Sequence, residues 1–512
     1  MKINIKYILL SFFTVLTFTS CSDWLNVTSK DKVLEDQQFS TEQNINSATN
    51  GLYREMISAN LYGGQLTQTT IEAMGHFYTY PLTEPSAGNL SVPIYMLGNF
   101  RYTHDAVKGN FSTIWGKAYA LLLHINNYIK NVENSPAIIS DTHRKTLLGE
   151  AYGLRAYIHF DLFRMYGPVY KFKTDDKILP YNNSADVTLN HSDYEETEYS
   201  SADEFIQLLL KDIATAEPLL KENDPIVTDP AGCITDALLN ESFYQNRNRR
   251  MNYYALKGLE ARVLQYIGED EKAAETAKVI TDQLGGVFNW VIPSSVLSNN
   301  NYVFFPEVIF GVNNMAMTSQ GNTWYGGTIL ASSFLVDYNN LLKNILGYDG
   351  NELSGMLDVR SKQWMESNAL PDAVYGYSPE GTYRSRKYFS TSLNVPAAND
   401  FQVLIRMSEM FYIQAETALK AGDKQKAIGL LNTVLRNRAL TSQYFLTSEQ
   451  SETEIQAHIE KEYYREFFGE GQVFFFHKRR VSSQMFKGNN SGSVAVSPDN
   501  YVVPLPETET NI

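Results

Sequence analysis

Two stretches of this chain, 154 residues apart, repeat one spacing of small residues, and that repeat limits the fold more than any other feature. Residues 404–440 read LIRMSEMFYIQAETALKAGDKQKAIGLLNTVLRNRAL. Leu404, Met407, Phe411, Ala415 and Ala418 recur at threes and fours, which predicts a helix with one apolar stripe, beginning at Leu404. Gly422 ends it, because glycine takes the left-handed cap conformation without a Cβ penalty. Asp423 can cap a second helix, whose apolar face is Ala427, Leu430, Leu431 and Val434. Residues 254–281 read YALKGLEARVLQYIGEDEKAAETAKVIT, and Ala261, Gly268 and Ala273 fall on Ala415, Gly422 and Ala427.

The unit resembles the tetratricopeptide pattern, a helix–turn–helix with alanine at the packing positions. Such a unit cannot bury its apolar faces alone, so further pairs should stack on it. The alternative is two unrelated hairpins in an ordinary α domain. Helical periodicity is also expected over about 41–58, 111–166, 201–221, 252–284 and 453–468, with the helix after Ser201 ending near Pro218. Residues 60–105 and 285–402 hold no period and carry Gly, Pro and many aromatics, so both read as large irregular insertions.

The amino terminus reads MKINIKYILLSFFTVLTFTSCSDW. Lys2 and Lys6 precede an apolar run that is too short for a comfortable bilayer span and sits where a secretory signal sits. Small Thr19 and Ser20 lead into Cys21, the pattern of a bacterial lipoprotein cleaved before the cysteine and lipidated on it; Phe18 stands where leucine is usual. A cleaved soluble signal is the competing reading. The expected layout is a signal peptide over 1–20, an anchor and tether over 21–40, and a single domain over 41–512. Cys233 is the one other cysteine, which leaves the mature chain no internal disulfide.

The formal net charge of −14 argues against nucleic acid, whose phosphates require a basic surface. Catalytic motifs are thin. There is no HExxH and no GxSxG, and the eight histidines lack metal-ligand spacing. Six residues separate Gly109 from Gly116-Lys117, where a phosphate loop requires four. Asp349-Gly-Asn-Glu352 lacks the spaced ligands of a calcium loop. No cofactor or metal is expected. Arg155, Asp161, Arg406 and Glu409 lie in helical patterns and read as structural pairs, and Lys478–Arg480 reads as a solvated or helix-pairing patch.

Four further segments combine with this pattern: the lipoprotein start, EAYGLRAYIHFDLFRMYGPV at 150–169, EYYREFFGEGQVFFFHKRR at 462–480 and VVPLPETE at 502–509. Together with the pair at 404–440 they resemble the SusD/RagB nutrient-binding outer-membrane lipoproteins of Bacteroidota, in family order from Cys21 onward. His477 stands where an acidic residue is expected. The resemblance implies a mostly α fold, with four tetratricopeptide-like helix pairs in a right-handed superhelical scaffold and the ligand site carried on irregular insertions. It implies an outer-membrane, cell-surface, lipid-anchored lid on a SusC-like TonB-dependent transporter. Such a lid captures an oligosaccharide, or in some members a peptide, without chemistry on it.

Sugars offer an apolar C–H face and a rim of hydroxyls, so a site needs flat aromatic platforms flanked by hydrogen-bonding groups. The 33 Tyr, 27 Phe and 5 Trp exceed what a helical repeat core needs. The mixture occurs at Tyr78, Tyr80, Asn99, Arg101 and Tyr102, and again at Trp290, Asn322, Trp324 and Tyr325. Trp324 and Tyr325 lead, because Gly321, Gly326 and Gly327 around them suit an exposed loop tip. The competing structural reading packs these rings onto the helices. Competing functional readings are a lipid-anchored glycoside hydrolase, whose paired carboxylates meet only in space, and a scaffold with protein partners alone.

Overall fold

A computed structural model describes residues 37–135, 138–185, 198–231, 233–234, 243–325, 334–347, 357–367, 381–388, 400–489 and 492–510. The signal run, Cys21, Gly326-Gly327 and the 349–352 candidate calcium loop lie outside the described residues.

The fold is mostly helical. Its long helices are α1 (Glu42–Met56), α2 (Lys108–Glu133), α3 (Asp141–Tyr166), α4 (Ala202–Asn223), α5 (Tyr253–Tyr266) and α6 (Asp270–Thr281). After α7 (Met317–Tyr325) come α8 (Met407–Lys420), α9 (Lys424–Arg436), α10 (Glu452–Glu466) and α11 (Val473–Arg480). Apart from α7, each packs on the next along the chain, so the helices form one continuous succession. The two similar units are α5–α6 and α8–α9, and they meet through α6 against α8. Ala261, Ala273, Ala415 and Ala427 are all fully buried, which lets backbones approach at the crossings. Gly268 (φ +89°) and Gly422 (φ +79°) both take the left-handed cap conformation, and Asp423 accepts the Lys426 N–H at 3.0 Å.

Ion pairs join neighbouring helices. Arg155 of α3 donates to Asp212 of α4 at 2.5 and 2.7 Å, and Arg262 of α5 to Glu409 of α8 at 2.6 and 2.7 Å. Helix α4 runs through Pro218 to Asn223 instead of stopping near the proline. Leu220 is fully buried and seats against Gly149 of α3, so packing holds the last turn in spite of the proline.

The described parts of the irregular segments are packed structure. Val308–Asn313 (β1) pairs antiparallel with Phe401–Arg406 (β5), with Val308 opposite Arg406 and Asn313 opposite Phe401. Leu404 is therefore in a strand, and the helix starts at Met407. All six β5 side chains are buried, so the segment satisfies its backbone against β1 while both faces are covered. A second sheet holds Val336–Asp337 (β2), Trp364–Ser367 (β3) and Thr382–Ser385 (β4) in the order β2-β4-β3.

A buried charge network pins these segments to α10. Arg438, past the end of α9, donates to Glu307 at 2.6 Å and to Glu466 of α10 at 2.6 Å. Arg360 donates to Asp358 at 2.7 Å and to Glu462 and Glu466, both at 2.8 Å. Arg406 and Lys387 converge on Glu470, which sits between Gly469 and Gly471. Both glycines have φ near +70°, a conformation that turns the chain sharply enough to present Glu470 inward. Burial alone would raise the Glu466 carboxyl, but Arg438 and Arg360 overcome it and hold the pKa down to about 2. Lys478 is likewise buried and donates to the carbonyls of Arg164 and Gly167, both at 2.7 Å, so it clamps α11 onto α3 and is not part of a solvated patch.

Candidate functional site

Helix α7 sets the one aromatic ledge that the sequence placed on a loop tip. Met317, Gly321 and Tyr325, four residues apart, form its buried edge. Tyr325 lies in the core, where its hydroxyl meets that of Tyr78 at 3.1 Å, and burial raises its pKa. Its neighbour Trp324 is turned to the flank and stays half-buried, and its indole lies over the Gly64 turn. Asn322 and Thr323 are exposed beside it.

The described chain resumes at Phe334, whose N–H donates to the Trp324 carbonyl at 2.8 Å. The half-buried Phe334 ring packs on Tyr78 at 4.7 Å. Four residues on, half-buried Tyr338 stacks on Tyr383 of β4, with ring centres 5.6 Å apart and planes 27° apart. Arg384 of the same strand donates to the Tyr325 carbonyl at 3.3 Å, which fixes the sheet against the end of α7. Trp324, Phe334 and Tyr338 are therefore partly exposed rings held near the end of α7 by these contacts, with Asn322 and Thr323 exposed on α7 and Asn339 half-buried. Asp337 is buried and accepts the Asn340 N–H at 3.2 Å. The ledge offers ring faces and hydrogen-bonding groups, the chemistry of binding.

The other candidates separate by burial. Tyr78, Tyr80, Tyr102 and Tyr325 are 5% exposed or less, so they are core residues and not ligand platforms. The reason is tertiary. Segment 60–105 folds under α10, so Phe77 meets Tyr464 and Phe468, Tyr78 meets Phe468, and the Tyr102 hydroxyl donates to the Asn500 carbonyl at 2.8 Å. Tyr80 packs beside His76 and Tyr95. Half-buried Trp290 rests on Phe411 of α8 and takes the Arg438 guanidinium over its ring at 5.3 Å. Arg101 is exposed and paired with Glu84 at 2.5 Å, and the Asn99 side chain caps the Tyr95 carbonyl at 2.8 Å. Of the nine candidates, Trp324 and Asn322 lie together on α7 away from the core. Phe334 is not singled out by the sequence, because FLVDY opens on three apolar residues in a row and carries no period that marks one ring as outward.

Two family models match this chain end to end. One, the SusD family, covers residues 232–505; the other, described as starch-binding and associating with the outer membrane, covers residues 23–231. The chain belongs to the SusD family. A SusD-like protein, P38, of Formosa agariphila is 25% identical over 342 residues, 64% of this chain, and the match spans 62% of that relative's length. Solved SusD-type structures share the fold. A SusD superfamily protein of Bacteroides thetaiotaomicron superposes with a TM-score of 0.68 at 20% identity, over 92% of this chain and 98% of the other. A SusD-like carbohydrate-binding protein of Bacteroides vulgatus gives 0.66 at 17%, over 92% and 96%. A laminarin-binding SusD-like protein gives 0.57 at 15%, over 92% and 97%.

Within this SusD family member, no group of three His, Cys, Asp or Glu side chains is placed to hold a metal among the described residues. No helix among them is long and apolar enough to cross a membrane. Arg155, Arg406 and Glu409 sit in buried ion pairs between elements, and Asp161 pairs with Arg164 one turn along α3.

Proposed function

We propose that this chain is a surface glycan-capturing lipoprotein, anchored through Cys21 and a tether over 21–40. It binds oligosaccharide without cleaving it and passes it to a TonB-dependent transporter in the outer membrane. Membership of the SusD family carries this reading, since one family model that matches is described as starch-binding and outer-membrane associated. A structural neighbour named for binding laminarin supports a glycan over a peptide. The partly exposed ledge of Trp324, Phe334 and Tyr338 is the surface on which we expect the sugar faces to stack, with Asn322 and Thr323 toward the hydroxyls.

Calorimetric titration of the soluble form from Ser22 onward with laminarin and starch oligosaccharides tests this. The expected result is binding without cleavage products, weakened about tenfold or more by Trp324→Ala. Release of shorter sugars would replace the reading with a hydrolase. Binding of a peptide mixture and no glycan would replace it with peptide uptake.

A further inference from the structure

Away from the ledge, a cleft of about 410 Å³ opens between the end of α5, helix α8, and helices α10 and α11. That is the size range of small-ligand sites. Its wall carries four cations, Lys171, Lys420, Arg479 and Arg480, and one carboxylate, Glu416. This is a positive surface on a chain of net charge −14. The cations are unequally matched. Arg479 holds Glu416 at 2.8 and 3.0 Å, and Lys420 holds Asp270 at 2.8 Å to both oxygens. Arg480 reaches Glu416 at 3.5 Å, donates to the neutral Gln456 at 3.1 Å and lies close enough to Glu460 to lower that carboxyl against the raising effect of burial. Lys171 is exposed and makes no ion pair among the described residues. Between them the cleft is partly apolar, with Leu419, Ile459 and the half-buried Tyr170 ring on its walls.

Two under-matched cations and an apolar wall ask for a ligand that has both a negative group and a C–H face. A bare phosphate or sulfate uses the charge but leaves the wall empty, and a neutral sugar does the reverse. A sugar acid uses both: its carboxylate accepts from the Arg480 guanidinium and the Lys171 ammonium, and its ring covers the wall. Glu416 is held below the usual carboxylate range, since Arg479 and Arg480 overcome the raising effect of burial. It therefore stays charged at neutral pH and stays matched by Arg479, which leaves Arg480 and Lys171 to the ligand.

We infer that this cleft is a second ligand site, distinct from the aromatic ledge, that binds a uronate sugar of one or two residues through Arg480 and Lys171. The test is calorimetric titration of the soluble chain with digalacturonate, with its neutral counterpart galactobiose, with inorganic phosphate and with the tripeptide Gly-Glu-Gly. Digalacturonate should bind, and raising the salt should weaken it. Arg480→Gln and Lys171→Gln should each weaken it about tenfold. Galactobiose, phosphate and the tripeptide should bind at least about tenfold more weakly. Trp324→Ala should leave digalacturonate binding unchanged, which separates this site from the ledge whatever the ledge is found to bind. Lys171→Gln alters an exposed side chain, so it remains informative if Arg480→Gln disturbs Glu416. The inference is overturned if digalacturonate does not bind. It is equally overturned if, on the Trp324→Ala chain, galactobiose, phosphate or the tripeptide binds as well as digalacturonate, if neither substitution weakens binding, or if Trp324→Ala abolishes digalacturonate binding.

Discussion

In α5–α6 and α8–α9 the apolar positions recur at threes and fours, and the helices next along the chain bury much of them, while α5 and α8 are covered on nearly every side. Segments 60–105 and 300–388 also bury most of their described aromatic rings, but without any such period. They are held instead by contacts more than a hundred residues apart: Tyr78 to Tyr325, Arg438 to Glu307, and Arg360 to Glu462 and Glu466. The difference teaches where each region is fragile. A repeat pair loses one packing contact at a time, whereas the pinned segments depend on a few buried charges whose removal strands their partners.

The largest expected effect follows from that. Arg438→Ala leaves Glu307 and Glu466 buried without their shared cation, and should cost about 3–5 kcal/mol in a urea unfolding curve. A loss under about 1 kcal/mol would mean that the network does not pin the segment. Next come two neighbours on α7. Tyr325→Ala empties a fully buried site and should cost about 3–5 kcal/mol, while half-exposed Trp324→Ala should cost much less, about 1–2 kcal/mol, yet take the glycan affinity with it. Equal destabilisation by the two would erase the distinction between core and ledge.

Acid comes third. Burial lowers the pKa of His76, His159 and His477 to about 3, so the folded state keeps them neutral where the unfolded chain, near 6.5, takes up protons. Their contribution is complete above pH 6.5 and falls as pH drops toward 3. His159 shows why: the Asn182 N–H points at its Nε2 at 3.1 Å, which leaves no room for a second ring proton. Glu466, depressed to about 2, contributes above pH 4.5 and is lost as pH falls through 2. Stability should therefore start to fall just below pH 6.5, by about 2 kcal/mol or more at pH 5, before the carboxylate network is touched. A flat melting temperature from pH 7 to 5 would contradict the burial of these rings. The smallest effect is in the repeat itself. Gly422→Ala meets nothing within 4 Å, so only its positive φ is penalised, at about 1 kcal/mol, and Gly268→Ala should match it.

The helix pairs were legible because their packing partners are close in sequence. Gly268 and Gly422 recur beside Ala261 and Ala415 because the same crossing is built twice. Periodicity starts α8 at Leu404 because FQVLIR is apolar enough for either period, and only its distant partner β1 makes it a strand. The candidate site was half legible. The pair Trp324-Tyr325 stands out in the sequence, but the sequence offers no way to tell which ring faces out. On a helix the two differ by about 100° of rotation, and that angle matters only once Tyr78 and Gln68 are in place on one side.

By itself, the sequence determined the helical class, the paired-helix spacing with its glycine caps and the family resemblance. These depend on local periodicity or on residue types in order, which a chain carries with it unfolded. Tertiary structure alone decided that Tyr78, Tyr80, Tyr102 and Tyr325 are core, that Trp324, Phe334 and Tyr338 stay partly exposed, and that Arg480 and Lys171 share a cleft. Burial and charge pairing are properties of residues brought together across long separations, and no single stretch of the chain contains both partners.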